Sequence, residues 1–180
     1  MKRVVSIVGI LWLMLTMAVA EPVDRKALLE NLDESVMIIY PAVNETHTVT
    51  IFTDVLCPYC RELHKKLADF TDHGITVRFV PFPLMAESKP ILESIWCAPQ
   101  DQQHFLLDAA MIYGKFKARS CDAPILSNAH IAAKAMQVFG TPSIFLDNGR
   151  KVSGFMSPKE IRAGLNGTLD FDSWQRVNPQ

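Results

Sequence analysis

Two thiols three positions apart, in Cys57-Pro58-Tyr59-Cys60, stand between an apolar run and a segment in which Cys60, Leu63, Leu67 and Phe70 recur at helical steps. Steps of three, four and three mark one face of a helix. Pro58 suits the first helical position, where an N–H would have no partner anyway. Val49-Thr50-Ile51-Phe52 upstream reads as a buried strand. A strand leading through this motif into a helix sets Cys57 beside the helix N-terminus, whose unpaired N–H groups and dipole favour a thiolate. One exposed, acidified thiol with a second close by can perform thiol–disulfide exchange: the first attacks, the second resolves the mixed disulfide.

The cysteines are read by compartment, and the N-terminus bears on that. Met1-Lys2-Arg3 is basic, residues 4–17 are almost uninterrupted apolar sequence, and Ala18-Val19-Ala20 has the small-x-small spacing of a cleavage site. This is the pattern of a secretion signal. We expect residues 1–20 to be removed before Glu21; an uncleaved membrane anchor is the alternative. The expectation is export to an oxidising compartment, where disulfides persist, with no stable membrane insertion after cleavage. Loss of Lys2 and Arg3 leaves 16 basic against 19 acidic residues, a charge of about −3. That balance leaves no basic footprint for nucleic acid.

Along the rest of the chain, 24–33 reads as a short helix, 36–39 as a strand, and 48–53 as the strand before the motif. The motif helix is expected from Pro58 to about Asp72, with Gly74 as its stop, followed by a strand over 75–80 ended by Pro81 and Pro83. Residues 84–139 read as successive helices. One opens at Pro90, one runs from Pro99 to Gly114, and one runs from about Asn128 through Phe139 to a stop at Gly140. A strand over 143–146, an Asn148-Gly149 turn and a returning strand over 150–155 form a hairpin. Ser157-Pro158-Lys159-Glu160 is a capping box opening a helix to about Leu165. Residues 168–180 are expected to drape over the core or fray. The order suits a mixed sheet flanked by helices.

Phe52-Thr53-Asp54, Cys57-Pro58-Tyr59-Cys60 and Gly140-Thr141-Pro142 together resemble the thioredoxin fold, an α/β architecture with a central mixed sheet. More narrowly, His64, Gly74-Ile75-Thr76-Val77-Arg78, Trp96-Cys97-Ala98, Ser120-Cys121-Asp122, Asn148-Gly149 and Pro158-Lys159-Glu160 are similar to the catalytic domain of the bacterial periplasmic disulfide isomerases of the DsbC/DsbG group. The likeness spans roughly residues 26–165. It implies a residual linker helix over 21–35, a catalytic domain over 36–167 with a helical insertion at about 84–139, and a tail over 168–180. In that group a dimerisation domain precedes the linker helix; here it is expected to be absent, and the protein to be a monomer or a dimer formed through another surface.

By the same resemblance Cys57 is the attacking thiol and Cys60 the resolving one. Thr141-Pro142 becomes a cis bond beside which an extended substrate pairs, and Pro58 and Tyr59 tune the site and touch substrate. Pro-Tyr is closer to the DsbG branch than the Gly-Tyr usual among isomerases. A trans Thr-Pro bond opening a strand is the plainer alternative. The resemblance also implies a structural disulfide between Cys97 and Cys121, against which stands a zinc site using the cysteines with His64 or His73. No metal and no cofactor are expected. Six positions before Cys57, where thioredoxin-like reductases and DsbA oxidases often hold a buried carboxylate, stands Ile51. Asp54 could act as a base, although a turn or capping role suits it better, and His64 reads as a packing or surface residue. Phe82 and Met85 are core by default and groove-lining as an alternative. Implied partners are unfolded or wrongly disulfide-bonded secreted proteins and a membrane electron donor of the DsbD kind. Net oxidation and a non-catalytic chaperone or copper-binding role are the rival readings.

Overall fold

The computed structural model describes residues 23–114, 116–119 and 124–177. Its centre is a five-stranded mixed sheet in the order β1-β3-β2-β4-β5. The strands are β1 (Ile38–Tyr40), β2 (His47–Thr53), β3 (Ile75–Pro81), β4 (Ser143–Leu146) and β5 (Lys151–Ser153). Central β2 runs parallel to β3, with Val49 opposite Val77 and Thr53 opposite Pro81, and antiparallel to β4. The edge strands β1 and β5 have three residues each.

Side chains alternate across a strand, and β2 uses both faces. Val49 and Ile51 join Val77, Phe79, Ile144 and Leu146 in one core, which also takes Cys57, Cys60, Leu63 and Phe70. Phe52 turns the other way, to Val80, Phe145, Ala129, Ala133 and Leu29. Burial on both faces also encloses the polar Thr50, Thr53 and Thr76 of β2 and β3. The helices are α1 (Arg25–Glu30), α2 (Pro58–His64), α3 (Ala68–Thr71), α4 (Ser88–Trp96), α5 (Gln100–Asp108), α6 (Ile125–Ala135), α7 (Pro158–Leu165) and α8 (Phe171–Val177).

The expected motif helix is two helices. After α2 the chain closes tighter i→i+3 bonds, Lys66 N–H to Leu63 and Leu67 N–H to His64, before α3 resumes. The turn keeps Leu63 and Phe70 both fully buried. Gly74 then has φ +78°, and a Cβ there would lie 2.7 Å from the Asn44 carbonyl oxygen, so a glycine is needed to pass into β3. Val36 belongs to a 3-10 turn (Glu34–Val36) instead of the first strand, which starts at Ile38.

In the insertion the helix expected from Pro99 to Gly114 keeps those ends, and the one after it moves. Helix α5 continues into a π-helical turn, Ala109–Tyr113, that ends at Gly114 with φ +64°. Helix α6 starts at Ile125, ahead of Asn128, and stops before Gly140. Gln137 takes the left-handed position, with Val138 N–H bonding back to the Ala133 carbonyl and Gln137 N–H to that of Lys134. This is the Schellman closure that glycine usually makes. Phe139, expected within the helix, lies beyond its end and is 84% exposed. The capping box at Ser157 and Glu160 forms in full.

The tail contains an element that was not anticipated. In α8, Phe171 is buried against Gly164 of α7, and the Trp174 indole N–H donates to Glu160 at 2.9 Å. A Cβ at Gly164 would stand 2.0 Å from the Phe171 ring. Replacing Gly164 with Ala should therefore unseat α8 and lower stability by about 1–3 kcal/mol, the usual cost of overpacking. Thermal unfolding and Trp174 fluorescence would show it, and unchanged values for both would mean that α8 does not pack there.

Candidate active site

The site grows from the end of β2. Thr53 closes the strand, Asp54 begins a turn, and the Cys57 N–H donates to the Asp54 carbonyl at 3.1 Å. Cys57 is then the N-cap of α2, with extended φ and ψ of −71° and 120°, and Pro58 occupies the first helical position. Asp54 is wholly buried. Its carboxylate accepts from the backbone N–H groups of Leu56 at 2.8 Å, Leu84 at 2.7 Å and Met85 at 3.4 Å, and from the Ser88 hydroxyl at 2.8 Å. These bonds tie the turn before Cys57 to the loop after β3. The carboxylate thus holds the turn, the role that its position at the strand end suits.

The underside of α2 is fixed as firmly. His64 Nε2 lies 2.8 Å from Asp108 Oδ1, the Tyr40 hydroxyl donates to the same oxygen at 2.7 Å, and Arg61 Nε donates to the Met111 carbonyl at 2.8 Å. The His64 ring packs edge-on to Tyr40, with centroids 5.7 Å apart. Burial tends to raise the Asp108 pKa, but the hydrogen bonds from His64 and Tyr40 prevail and hold it below the usual carboxylate range. His64 is thus a packing residue with one polar tie. Asp108 and Tyr40 carried no local signal, since their partnership with His64 crosses 44 and 24 residues of chain.

Cys57 and Cys60 are both free thiols. The Cys57 sulfur lies 3.3 Å from the Thr141 carbonyl oxygen, and the Thr141–Pro142 peptide is cis. The Cys57 pKa is lowered to about 5. The leading cause is hydrogen bonding from Cys60. Burial opposes it, while the Thr141 side chain and the N–H groups of Cys60 and Tyr59 add to it, the latter two without closing formed capping bonds. Cys60 is shifted the opposite way, upward, first by burial and then by the neighbouring Cys57. At neutral pH the pair therefore shares one proton: Cys57 is the thiolate and Cys60 the thiol.

The access expected of Cys57 is narrower than a fully exposed residue would have. At the helix cap it is 6% exposed, flanked by exposed Pro58 and by Tyr59, which is 60% exposed. Thr141 is partly exposed and Pro142 buried, so Pro142 acts by shaping the backbone at Thr141. Tyr59 lies 6.1 Å from the Phe155 ring. Met85 and Leu84 are largely exposed beside the Asp54 ties, whereas Phe82 packs on Phe52 and stacks on His130. Cys97 is disulfide-bonded; Cys121 lies outside the described residues. Among the described residues no group of three or more His, Cys, Asp or Glu side chains is placed to hold a metal, and no helix is long and apolar enough to cross a membrane. A cavity of about 560 Å³ between α4 and α5, lined by Cys97, Phe105 and Arg119 among others, shares no residue with the sulfur site.

A parallel β2–β3 pair, an antiparallel hairpin, a dithiol at a helix cap and a cis-proline facing it define the thioredoxin class. The chain belongs to the thioredoxin-like domain family, which it matches over residues 34–168. Among named relatives, it is 39% identical to the thiol:disulfide interchange protein DsbC of Salmonella typhimurium over 154 residues, 82% of this chain and 64% of that one. It is 37% identical to DsbC of Escherichia coli K12 over 149 residues, 80% of this chain and 62% of the relative. It thus spans less than two thirds of the length of either. A disulfide interchange protein from Neisseria gonorrhoeae superposes with a TM-score of 0.62 at 25% identity, covering 77% of this chain and 99% of that structure.

The lowered Cys57 pKa has a measurable consequence. Iodoacetamide should modify Cys57 of the reduced protein at a rate that rises through about pH 5 and is level from pH ~7 to ~9, where a free thiol with pKa ~8.5 is still gaining reactivity. A rate still climbing across that upper range would contradict the assignment. Because the folded-state pKa is the lower one, the thiolate stabilises the fold fully above about pH 8.5, and this contribution disappears as the pH falls to about 5. A second prediction concerns Asp54. Asp54→Ala leaves the N–H groups of Leu56, Leu84 and Met85 short of their acceptor and should cost about 3 kcal/mol or more by denaturant unfolding, the scale of several buried donors left unpaired. An effect below 1 kcal/mol would show that the carboxylate does not hold the turn.

Proposed function

We propose that the protein is a periplasmic thiol–disulfide exchange enzyme, acting as an isomerase or reductase on the disulfides of secreted proteins. The observation that carries this reading is the division of protonation between the two sulfurs: a thiolate at the α2 cap against a buried thiol one turn inward. Cys57 attacks a substrate disulfide and expels one substrate sulfur as thiolate. The mixed disulfide is then resolved by a second substrate cysteine, which isomerises the substrate, or by Cys60, which reduces it. The partly exposed Thr141 backbone beside the sulfur offers an incoming extended chain a place to pair, with Tyr59 and Pro58 flanking it.

Further parts of the reading rest on the likeness to DsbC and on the sequence. Residues 1–20 direct export and are removed, and residues 36–167 form the catalytic domain. Cys97 pairs with Cys121 in a structural disulfide, and a DsbD-like membrane donor returns Cys57 and Cys60 to the dithiol.

Scrambled ribonuclease provides the test. The reduced protein should restore ribonuclease activity, Cys57→Ala should abolish that restoration, and Cys60→Ala should accumulate a mixed disulfide at Cys57 that survives acid quenching. Undiminished reactivation by Cys57→Ala would overturn the mechanism. Mostly oxidised Cys57–Cys60 in cells, with activity confined to reduced ribonuclease, would instead identify a net oxidase.

A further inference from the structure

Reduction through Cys60 poses a problem of proton chemistry. Cys60 is almost completely buried, and burial holds it as a thiol, yet to resolve the mixed disulfide it must become a nucleophile. Asp54, the acidic residue in the adjoining turn, accepts from four donors that hold that turn, and Ile51 has no polar group. Strand alternation points to the group that remains. Val49 and Ile51 face the core that holds Cys60, and Thr53, two residues further along β2, faces the same way. Thr53 is wholly buried, and its hydroxyl is left without a formed hydrogen bond to any group. A buried hydroxyl without a partner is costly and calls for a role. Burial and the neighbouring Cys57 hold Cys60 as a thiol, and against them Thr53 and the Asp54 N–H favour its ionised form.

We infer that Thr53 is a catalytic residue of the resolving step, its hydroxyl donating a hydrogen bond to the Cys60 sulfur as that sulfur gives up its proton and attacks Cys57. In that step the bond between Cys57 Sγ and the substrate sulfur breaks and the Cys57–Cys60 disulfide forms. The Cys60 proton passes through solvent to the departing substrate sulfur. The cysteine pair is oxidised and the substrate, now a thiol, is reduced. The hydroxyl acts on the Cys60 sulfur, so its effect falls mainly on the resolving step. This rests on the exchange mechanism proposed above.

Oxidised glutathione serves as the probe. Mixed with the reduced protein and quenched in acid at intervals, it gives by mass spectrometry the rate at which glutathionylated Cys57 forms and the rate at which it is resolved. Thr53→Val should slow resolution about tenfold, the scale of one hydrogen bond to a charged group, and should change the rate of mixed-disulfide formation by much less. Thr53→Ser should resolve at close to the wild-type rate. Thr53→Ala supplies the same comparison should the valine fail to fold. Resolution by Thr53→Val or Thr53→Ala at the wild-type rate, or a serine variant as slow as the valine, would overturn the inference alone. Failure of the wild-type protein to form the mixed disulfide would overturn the exchange mechanism and this step with it.

Discussion

A buried carboxylate that cannot reach water must be satisfied from within, and Asp54 is satisfied by donors from two separate loops. Leu56 belongs to the turn that leads into Cys57, while Leu84 and Ser88 belong to the segment that leaves β3 for α4. The parallel register of β2 and β3 brings both loops to one end of the sheet, and Asp54 fastens them together. The position of the α2 cap follows from this tie more than from the helix itself, which has seven residues. Too short to be stable alone, α2 is held at its outer end by that turn and underneath by His64 and Arg61.

On that support two identical side chains become chemically unlike. At the cap, the Cys57 thiolate is favoured first by the Cys60 thiol and then by Thr141 and the first N–H groups of the helix. Cys60, one turn inward, lies among Leu63, Ile51 and Phe70 in the sheet-facing core. Desolvation penalises charge at the inner sulfur and hydrogen bonding favours it at the outer one. A disulfide exchange reaction needs this asymmetry, because the group that attacks first must be ionised while its partner waits protonated.

What could be read from the chain was local. Pro58 at the first helical position, the Ser157–Glu160 capping box and the turn at Asn148-Gly149 each announce themselves within four residues, and all appear where expected. The boundaries that moved were decided at longer range or by unusual residues. Gln137 adopts a left-handed conformation that sequence statistics reserve mainly for glycine, so α6 ended early and Phe139 lies beyond it. Residues 171–177 form a helix because Phe171 finds Gly164, a contact invisible to periodicity. The site was legible in its sulfurs and in Thr141-Pro142, which sit in recognisable motifs. It was not legible in Tyr40 and Asp108, whose purpose emerges only when β1 and α5 are folded against α2.

The three-residue outer strands have a further meaning if, as proposed above, the protein exchanges disulfides with unfolded polypeptides. A long free sheet margin would offer any extended client a ladder of unpaired amides and carbonyls, inviting capture and co-aggregation far from the reactive sulfur. Here β1 and β5 are each too brief to template such growth. On the proposed mechanism, the stretch around Thr141 is where pairing with such a client would be of use.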